Sequence, residues 1–171
     1  GDNSLPFLSI GGQQIKGYAD SEWIQFLDAA GYPKTSQLPA SYRNPAPAVG
    51  CIIMLEGRLL LVKRKYQPYR GDWCLPAGFM EYGESPKHCA QREIFEETGM
   101  RIKVGKLIGV YSGADDPRTH AILIVFLGLP LNDKYRAGDD ASSIKPFSLN
   151  ELPKKLAFRA HARAIKDFCK Y

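Results

Sequence analysis

Three glutamates, Glu93, Glu96 and Glu97, stand three and four residues apart in the stretch 86–98. If that stretch is helical, all three share one narrow face. Like charges so spaced destabilise a bare helix by roughly 0.2–0.5 kcal/mol per pair. Negative charge in the last turns also opposes the helix dipole. A sequence selected for stability alone would avoid this arrangement, whereas a cation over the face would account for it. Clustered carboxylate oxygens suit magnesium or manganese, while zinc favours His or Cys, which are absent from this face. The alternative is a solvated acidic face. Against it stand Ala90 and Ile94, which lie beside the glutamates and predict a buried flank that holds the carboxylates in place. Ahead of the helix runs Gly78-Phe79-Met80-Glu81-Tyr82-Gly83-Glu84, whose glycines let the backbone approach a ligand closely.

The elements that must position these groups are legible on either side. Ser85 is placed to cap the helix, Pro86 to occupy its first position, and Gly99 to end it after Thr98. Upstream, 49–55 and 58–63 predict a hairpin turning at Glu56-Gly57, and 73–79 predicts one further strand. Downstream, 102–111 and 121–127 predict strands around a polar loop, 112–119. Phe147-Ser148 predicts a short helical turn, and 160–171 a closing amphipathic helix with Ala164, Ile165 and Phe168 inward. Strands, a helix, more strands and a final helix imply an α/β (α+β) domain with mixed β-sheets sandwiched between helices. Residues 1–46 differ. They predict one helix from Asp20 or Ser21 to Gly31, with Trp23, Phe26, Leu27 and Ala30 as a packing stripe, then a linker carrying Pro33, Pro39, Pro45 and Pro47. The expected organisation is an N-terminal segment, 1–46, and a main domain, 47–171.

Bulk composition narrows the function classes. The 171 residues carry a net charge of +5 and 44% hydrophobic residues, enough to fill one core. The basic residues are scattered, the tightest group being Lys63, Arg64 and Lys65, so a nucleic-acid partner is not expected and an anionic small molecule is. The longest apolar run, 121–131, is too short to span a bilayer, and no basic region precedes the brief apolar stretch 5–10. A soluble, cytoplasmic protein without a membrane partner is expected. The four cysteines form no C-x-x-C pair, which argues against structural zinc, and Cys51 and Cys74 are expected as buried thiols.

The segment 78–100 resembles the signature of the Nudix hydrolase family. That signature is Gly, five residues, Glu, seven residues, then Arg-Glu-hydrophobic-any-Glu-Glu-any-Gly-hydrophobic. It is matched without exception by Gly78, Glu84, Arg92-Glu93-Ile94, Glu96-Glu97, Gly99 and Met100. The likeness extends to Tyr42-Arg43-Asn44-Pro45, Val49-Gly50-Cys51, the run 71–79 and the tail Leu156-Ala157-Phe158-Arg159, which are similar to a branch of nucleotide-sugar and flavin dinucleotide pyrophosphatases. Many members of that branch carry an N-terminal zinc ribbon, yet this chain has no cysteine before Cys51. The resemblance implies a Nudix fold. It further implies that Glu93, Glu96, Glu97 and the backbone carbonyl of Gly78 hold Mg²⁺ or Mn²⁺ over a diphosphate. Glu93 is the candidate general base, with the loop residues Asp139 and Asp140 as the alternative, although an ordinary solvated turn is the expectation there. Arg92 is assigned to orient a glutamate, through Glu96 or Glu84. Glu84 is assigned either to the helix N-terminus or to the metal shell. Arg64 is a candidate substrate ligand. Tyr66, Tyr69 and Phe79 are expected to pack, and His88, His120 and His161 receive no chemical role.

The substrate implied by the resemblance is a nucleoside diphosphate joined to another moiety. Motifs that mark NADH and coenzyme A members are missing, and Pro117 stands near the position of a proline common in ADP-ribose members. ADP-ribose or a similar nucleotide sugar, cut to AMP and a sugar phosphate, is therefore the expectation. The alternatives are a nucleotide-pool-cleansing (d)NTP pyrophosphatase and a non-catalytic nucleotide-sugar-binding module. A homodimer is left open.

Overall fold

A computed structural model describes residues 7–10, 13–16, 20–33, 44–116, 119–138 and 140–170. Its contacts divide the chain into two compact units, 1–42 and 43–171. The first unit holds an antiparallel hairpin, β1 (Phe7–Ile10) and β2 (Gln13–Lys16), in which Phe7 faces Lys16 and Ile10 faces Gln13. This hairpin was not anticipated from the sequence. A helix follows, α1 (Asp20–Ala29), and Gly31 takes the left-handed conformation just past its end, with φ 77°. The expected Trp23–Phe26 stripe and the proline-rich stretch fall largely outside the described side chains.

The second unit is organised by one long strand, β3 (Ala46–Leu55). Its successive side chains alternate between two cores, as pleating requires. Ala48 and Ile52 point into one cluster with Ala160, Ala164 and Ile165, while Val49, Cys51 and Ile53 point into another with Cys89, Ala90, Ile94 and Met100. Burial on both faces explains why the strand reads as an unbroken apolar run rather than an alternating one. The turn to β4 (Arg58–Arg64) is made by Glu56 and Gly57 at φ 47° and 75°. Two consecutive positive φ angles match the right-handed twist of the flanking strands.

The sequence predicts a single strand over 73–79, but the structure contains two. β5 (Trp73–Cys74) pairs antiparallel with β4, whereas β6 (Ala77–Phe79) pairs antiparallel with β3. Pro76, which has no N–H to donate, stands at the break, and its carbonyl accepts from Cys51 N–H at 3.1 Å. Helix α2 (Pro86–Thr98) has its expected ends. The Ser85 hydroxyl accepts from His88 N–H, and Gly99 sits at φ 68° with its N–H on the Phe95 carbonyl. Strands β7 (Ile102–Gly113) and β8 (Ala121–Pro130) pair antiparallel, and β8 runs parallel to β3.

Phe147 ends a strand that the sequence did not predict, β9 (Ala141–Phe147), which pairs antiparallel with β4 from Leu59 to Arg64, and a turn rather than a helix follows it, closed by Glu151 N–H on the Ser148 carbonyl at 2.9 Å. Alternation in 141–147 is weak and Pro146 interrupts it, so tertiary pairing overrides the local pattern. Helix α3 (Arg159–Phe168) closes the chain. The result is a mixed sheet between α2 and α3, in the α/β class that the sequence predicts. Among the described residues no helix is long and apolar enough to cross a membrane.

Candidate active site

Each end of α2 is held by groups distant in sequence, and this places its acidic face. Three carbonyls at its C-terminus are satisfied: Phe95 O by Gly99 N–H (2.7 Å), Thr98 O by Arg136 N–H (2.9 Å) and Glu97 O by Gly138 N–H (2.9 Å). A Cβ on Gly138 would fall 1.8 Å from the Glu96 carbonyl oxygen, so only glycine lets this segment lie against the helix. The contact brings Asp140 to the carboxylates. Asp139 lies outside the described residues. Asp140 lines the same cleft as Glu93 and Glu97, and its carbonyl accepts from Lys65 N–H at 3.1 Å. Asp140 is thus exposed in a turn, as expected, and also borders the acidic cleft.

At the other end, Glu84 is nearly covered, its side chain 5% exposed. Arg92 grips it as a fork, Nε to Oε1 and Nη2 to Oε2, both at 2.9 Å. The same guanidinium donates through Nη1 to Glu93 Oε1 at 2.7 Å and to Glu96 Oε2 at 3.1 Å, and through Nη2 to the Phe79 carbonyl at 3.0 Å. Both partners expected for Arg92, Glu84 and Glu96, are therefore engaged at once. Glu84 also accepts from Glu81 N–H at 3.1 Å, which ties the glycine loop to the helix. Hydrogen bonding from Arg92 holds the Glu84 carboxyl at about 2, below its ordinary 4.5.

Arg92→Lys is expected to weaken folding by about 1–3 kcal/mol, because an ammonium cannot reproduce the two-pronged grip on a covered carboxylate. Glu84 contributes its stability above pH 4.5 and loses it as pH falls toward 2. In urea titrations, the wild-type advantage should therefore be present at pH 7 and shrink as pH falls from 4.5 toward about 2. Equal unfolding midpoints at pH 7 would overturn this role.

The acidic cleft occupies about 410 Å³ and is bordered by Gly78, Arg92, Glu93, Glu97 and Asp140, with Arg64 and Tyr66 also in its lining. Glu97 is held from behind by Ala77 N–H, which donates to its Oε2 at 3.0 Å. Burial pushes the Glu97 carboxyl up to about 8, against that hydrogen bond, and the neighbouring Glu93 and Asp140 push the same way. Burial raises Glu93 also, with Arg92 opposing. Glu96, its side chain 56% exposed, stands at the outer edge and not on the cleft wall.

Among the described residues no three carboxylates converge on a ready-made cage for an ion, since Arg92 lies between Glu93 and Glu96. The donor set nevertheless fits a divalent cation. A Cβ on Gly78 would lie 2.0 Å from Glu93 Oε2, so the bare backbone at Gly78 makes room for that carboxylate beside its own carbonyl. Acidic side chains so disfavoured in their ionised form are stabilised by a hard cation with oxygen ligands.

Of the remaining expectations, Arg64 does reach the cleft, with its Nε donating to the Pro68 carbonyl at 2.7 Å and its guanidinium 5.0 Å from the Phe158 ring. Tyr69 packs as expected, edge-on to Phe158 with its hydroxyl on the Asp115 carbonyl. Tyr66 and Phe79 do not pack away; both are substantially exposed and border the cleft. Cys51, Cys74 and Cys89 are buried free thiols, each pushed up to about 12 by burial, which removes them as nucleophiles at neutral pH.

Residues 44–168 match the model of the NUDIX domain. The chain belongs to the Nudix family. As a Nudix hydrolase it acts on phosphoanhydride bonds, and members of the family generally use divalent metals. It is 47% identical over 131 residues to an ADP-ribose pyrophosphatase of Methanocaldococcus jannaschii, across 76% of each chain. Among solved structures it resembles a Nudix hydrolase of Nitrosomonas europaea, with 35% identity, TM-score 0.68, 75% of this chain and 72% of that one. It also resembles a bifunctional NMN adenylyltransferase/ADP ribose pyrophosphatase of Francisella tularensis in complex with AMP and a manganese ion. There the identity is 26% and the TM-score 0.65, over 77% of this chain and 43% of that one.

Proposed function

We propose that this Nudix hydrolase cleaves ADP-ribose or a closely similar nucleotide sugar to AMP and a sugar phosphate. The observation that carries the reading is the cleft in which Glu93 lies against Gly78 and Glu97 against the Ala77 N–H, with Arg64 in the same lining. The 47% identity to an ADP-ribose pyrophosphatase supports the substrate class. Glu93, Glu97 and the Gly78 carbonyl would hold Mg²⁺ or Mn²⁺, with Glu96 joining from the edge once Arg92 yields its contact. The cation supplies neutralisation of the diphosphate and acidification of the attacking water.

Hydrolysis then adds one water across the P–O–P bridge. Its oxygen bonds to one phosphorus, the bridging oxygen leaves with the other phosphate, and its proton must be received by a base. We assign that base to Glu93, whose carboxylate burial makes more basic than an ordinary glutamate and whose position Arg92 sets. Asp140, which also borders the cleft, is the alternative base. Arg64 is assigned to bind a phosphate oxygen. A cytoplasmic location belongs to the same proposal, supported by three buried cysteines kept as thiols.

The test is a screen of nucleoside diphosphate derivatives with Mg²⁺ and Mn²⁺, with products identified. ADP-ribose should give AMP and ribose 5-phosphate with the highest kcat/KM. Nucleoside triphosphates hydrolysed far faster than ADP-ribose would overturn the substrate assignment.

The first 40 or so residues are proposed to be accessory, because every residue assigned above lies in the unit 43–171. A chain beginning near Ser41 is expected to fold and to retain metal-dependent hydrolysis. If it folds with an intact metal site yet loses all hydrolysis, the segment builds part of the pocket.

A further inference from the structure

The carboxylate cleft occupies only one side of β6. On the other side is a smaller recess, about 80 Å³, lined by the small residues Ala48, Gly113, Ala121 and Ala160 together with Phe79 and Phe158, and by the buried carboxylate Asp116. It shares Arg64, Gly78 and Phe79 with the cleft. A molecule whose diphosphate lies in the cleft can therefore place its next group in the recess.

Of the polar groups in this lining, His161 has a definite hydrogen-bonding state. His161, on α3 and 7% exposed, accepts the Leu75 N–H on its Nδ1 at 3.1 Å. A ring nitrogen that accepts a proton carries none, so the neutral imidazole has its proton on Nε2. Burial keeps the ring neutral by lowering its pKa to about 4. Among the described residues no partner bonds Nε2, and no fully buried side-chain nitrogen lacks one, so Nε2 is open to the recess that His161 lines. The ring cannot swing away easily, because Phe158 packs against it at 5.1 Å and is itself held by Tyr69 and Arg64.

We propose that this recess seats the nucleobase of the substrate and that His161 donates through Nε2–H to an acceptor on the base edge, making His161 a specificity-determining residue. The inference rests on the nucleotide-sugar reading above. A base presents flat apolar faces to the phenyl rings and small side chains, with acceptor atoms only at its rim.

The experiment compares wild type, His161→Leu and His161→Gln on ADP-ribose and on a base-free analogue, two riboses joined through their 5′-diphosphate. His161→Leu should raise KM for ADP-ribose ~10-fold, the worth of one buried hydrogen bond, with kcat changed less than ~2-fold. His161→Gln keeps an acceptor for Leu75 N–H and a donor for the base, and should restore KM to within ~3-fold of wild type. On the base-free analogue all three proteins should agree within ~2-fold. Equal losses on both substrates, or a loss in kcat alone, would overturn the recess assignment while leaving the catalytic reading intact. Should wild type fail to turn over ADP-ribose, the substrate proposal is overturned instead. The recess is then judged by calorimetry with AMP, where at least ~10-fold weaker binding to His161→Leu supports it and equal affinity overturns it.

Discussion

Glu97→Gln is expected to lower turnover at least ~10²-fold in saturating Mg²⁺ or Mn²⁺ while leaving a folded protein, as follows when a cation-borne charge stabilisation of the transition state is lost. Full activity in a chelator, or an unfolded variant, would sink the proposed metal assignment. The same substitution has a signature in the apoprotein. Burial raises the Glu97 carboxyl from 4.5 to about 8, so the folded state binds a proton that the unfolded state releases. The contribution to stability is complete below pH 4.5 and is lost as pH rises through about 8. Without metal, the wild-type melting temperature should therefore fall between those limits, and that of Glu97→Gln should fall less. At pH 8 the apo variant should melt higher than wild type. Added Mg²⁺ should reverse the order, because a ligand that binds only the folded state stabilises it. A variant with the same pH slope as wild type would show that the Glu97 carboxylate does not carry this strain.

Gly78→Ala is expected to reduce kcat/KM ~10²-fold or more, since displacing a reacting group by about an ångström has effects of that size. The new methyl would fall 2.0 Å from Glu93 Oε2. That atom ends a flexible side chain, so Glu93 can move and the fold can remain. Gly138→Ala supplies the contrast, because its methyl would meet the Glu96 carbonyl at 1.8 Å, and backbone of α2 cannot move so cheaply. Gly138→Ala should lower the melting temperature, whereas Gly78→Ala should lower activity with little change in melting. Circular dichroism melts beside steady-state rates on the same preparations would separate the two. A Gly78→Ala protein with wild-type kcat/KM would remove Glu93 from the proposed chemistry.

What was legible in the sequence was local. Ser85, Pro86 and Gly99 set the limits of α2 through capping, a matter of a few consecutive dihedral angles. Within those limits, the spacing of Glu93, Glu96 and Glu97 placed them on one face, and the buried Ala90 and Ile94 showed which side faced inward. The Glu56-Gly57 turn was equally local. These features, with Gly78 and Arg92, were sufficient for the family and for the class of reaction.

Only the tertiary structure decided which of these groups meet. Glu96, spaced like its neighbours, lies at the edge of the cleft, because Arg92 is pulled between it and Glu84, while Glu93 and Glu97 of α2 line the cleft together with residues of β4 and β6. Asp140 comes to the carboxylates because β9 pairs with β4 and Gly138 fits against the end of α2, contacts between residues far apart in the chain. His161 carried no motif, and its role in the further inference comes from an amide at Leu75 that settles its tautomer. Helical spacing is determined within a few residues and can be read directly. The register between strands and the burial of a single ring depend on which distant surfaces remove one another from water, and no local pattern encodes that choice.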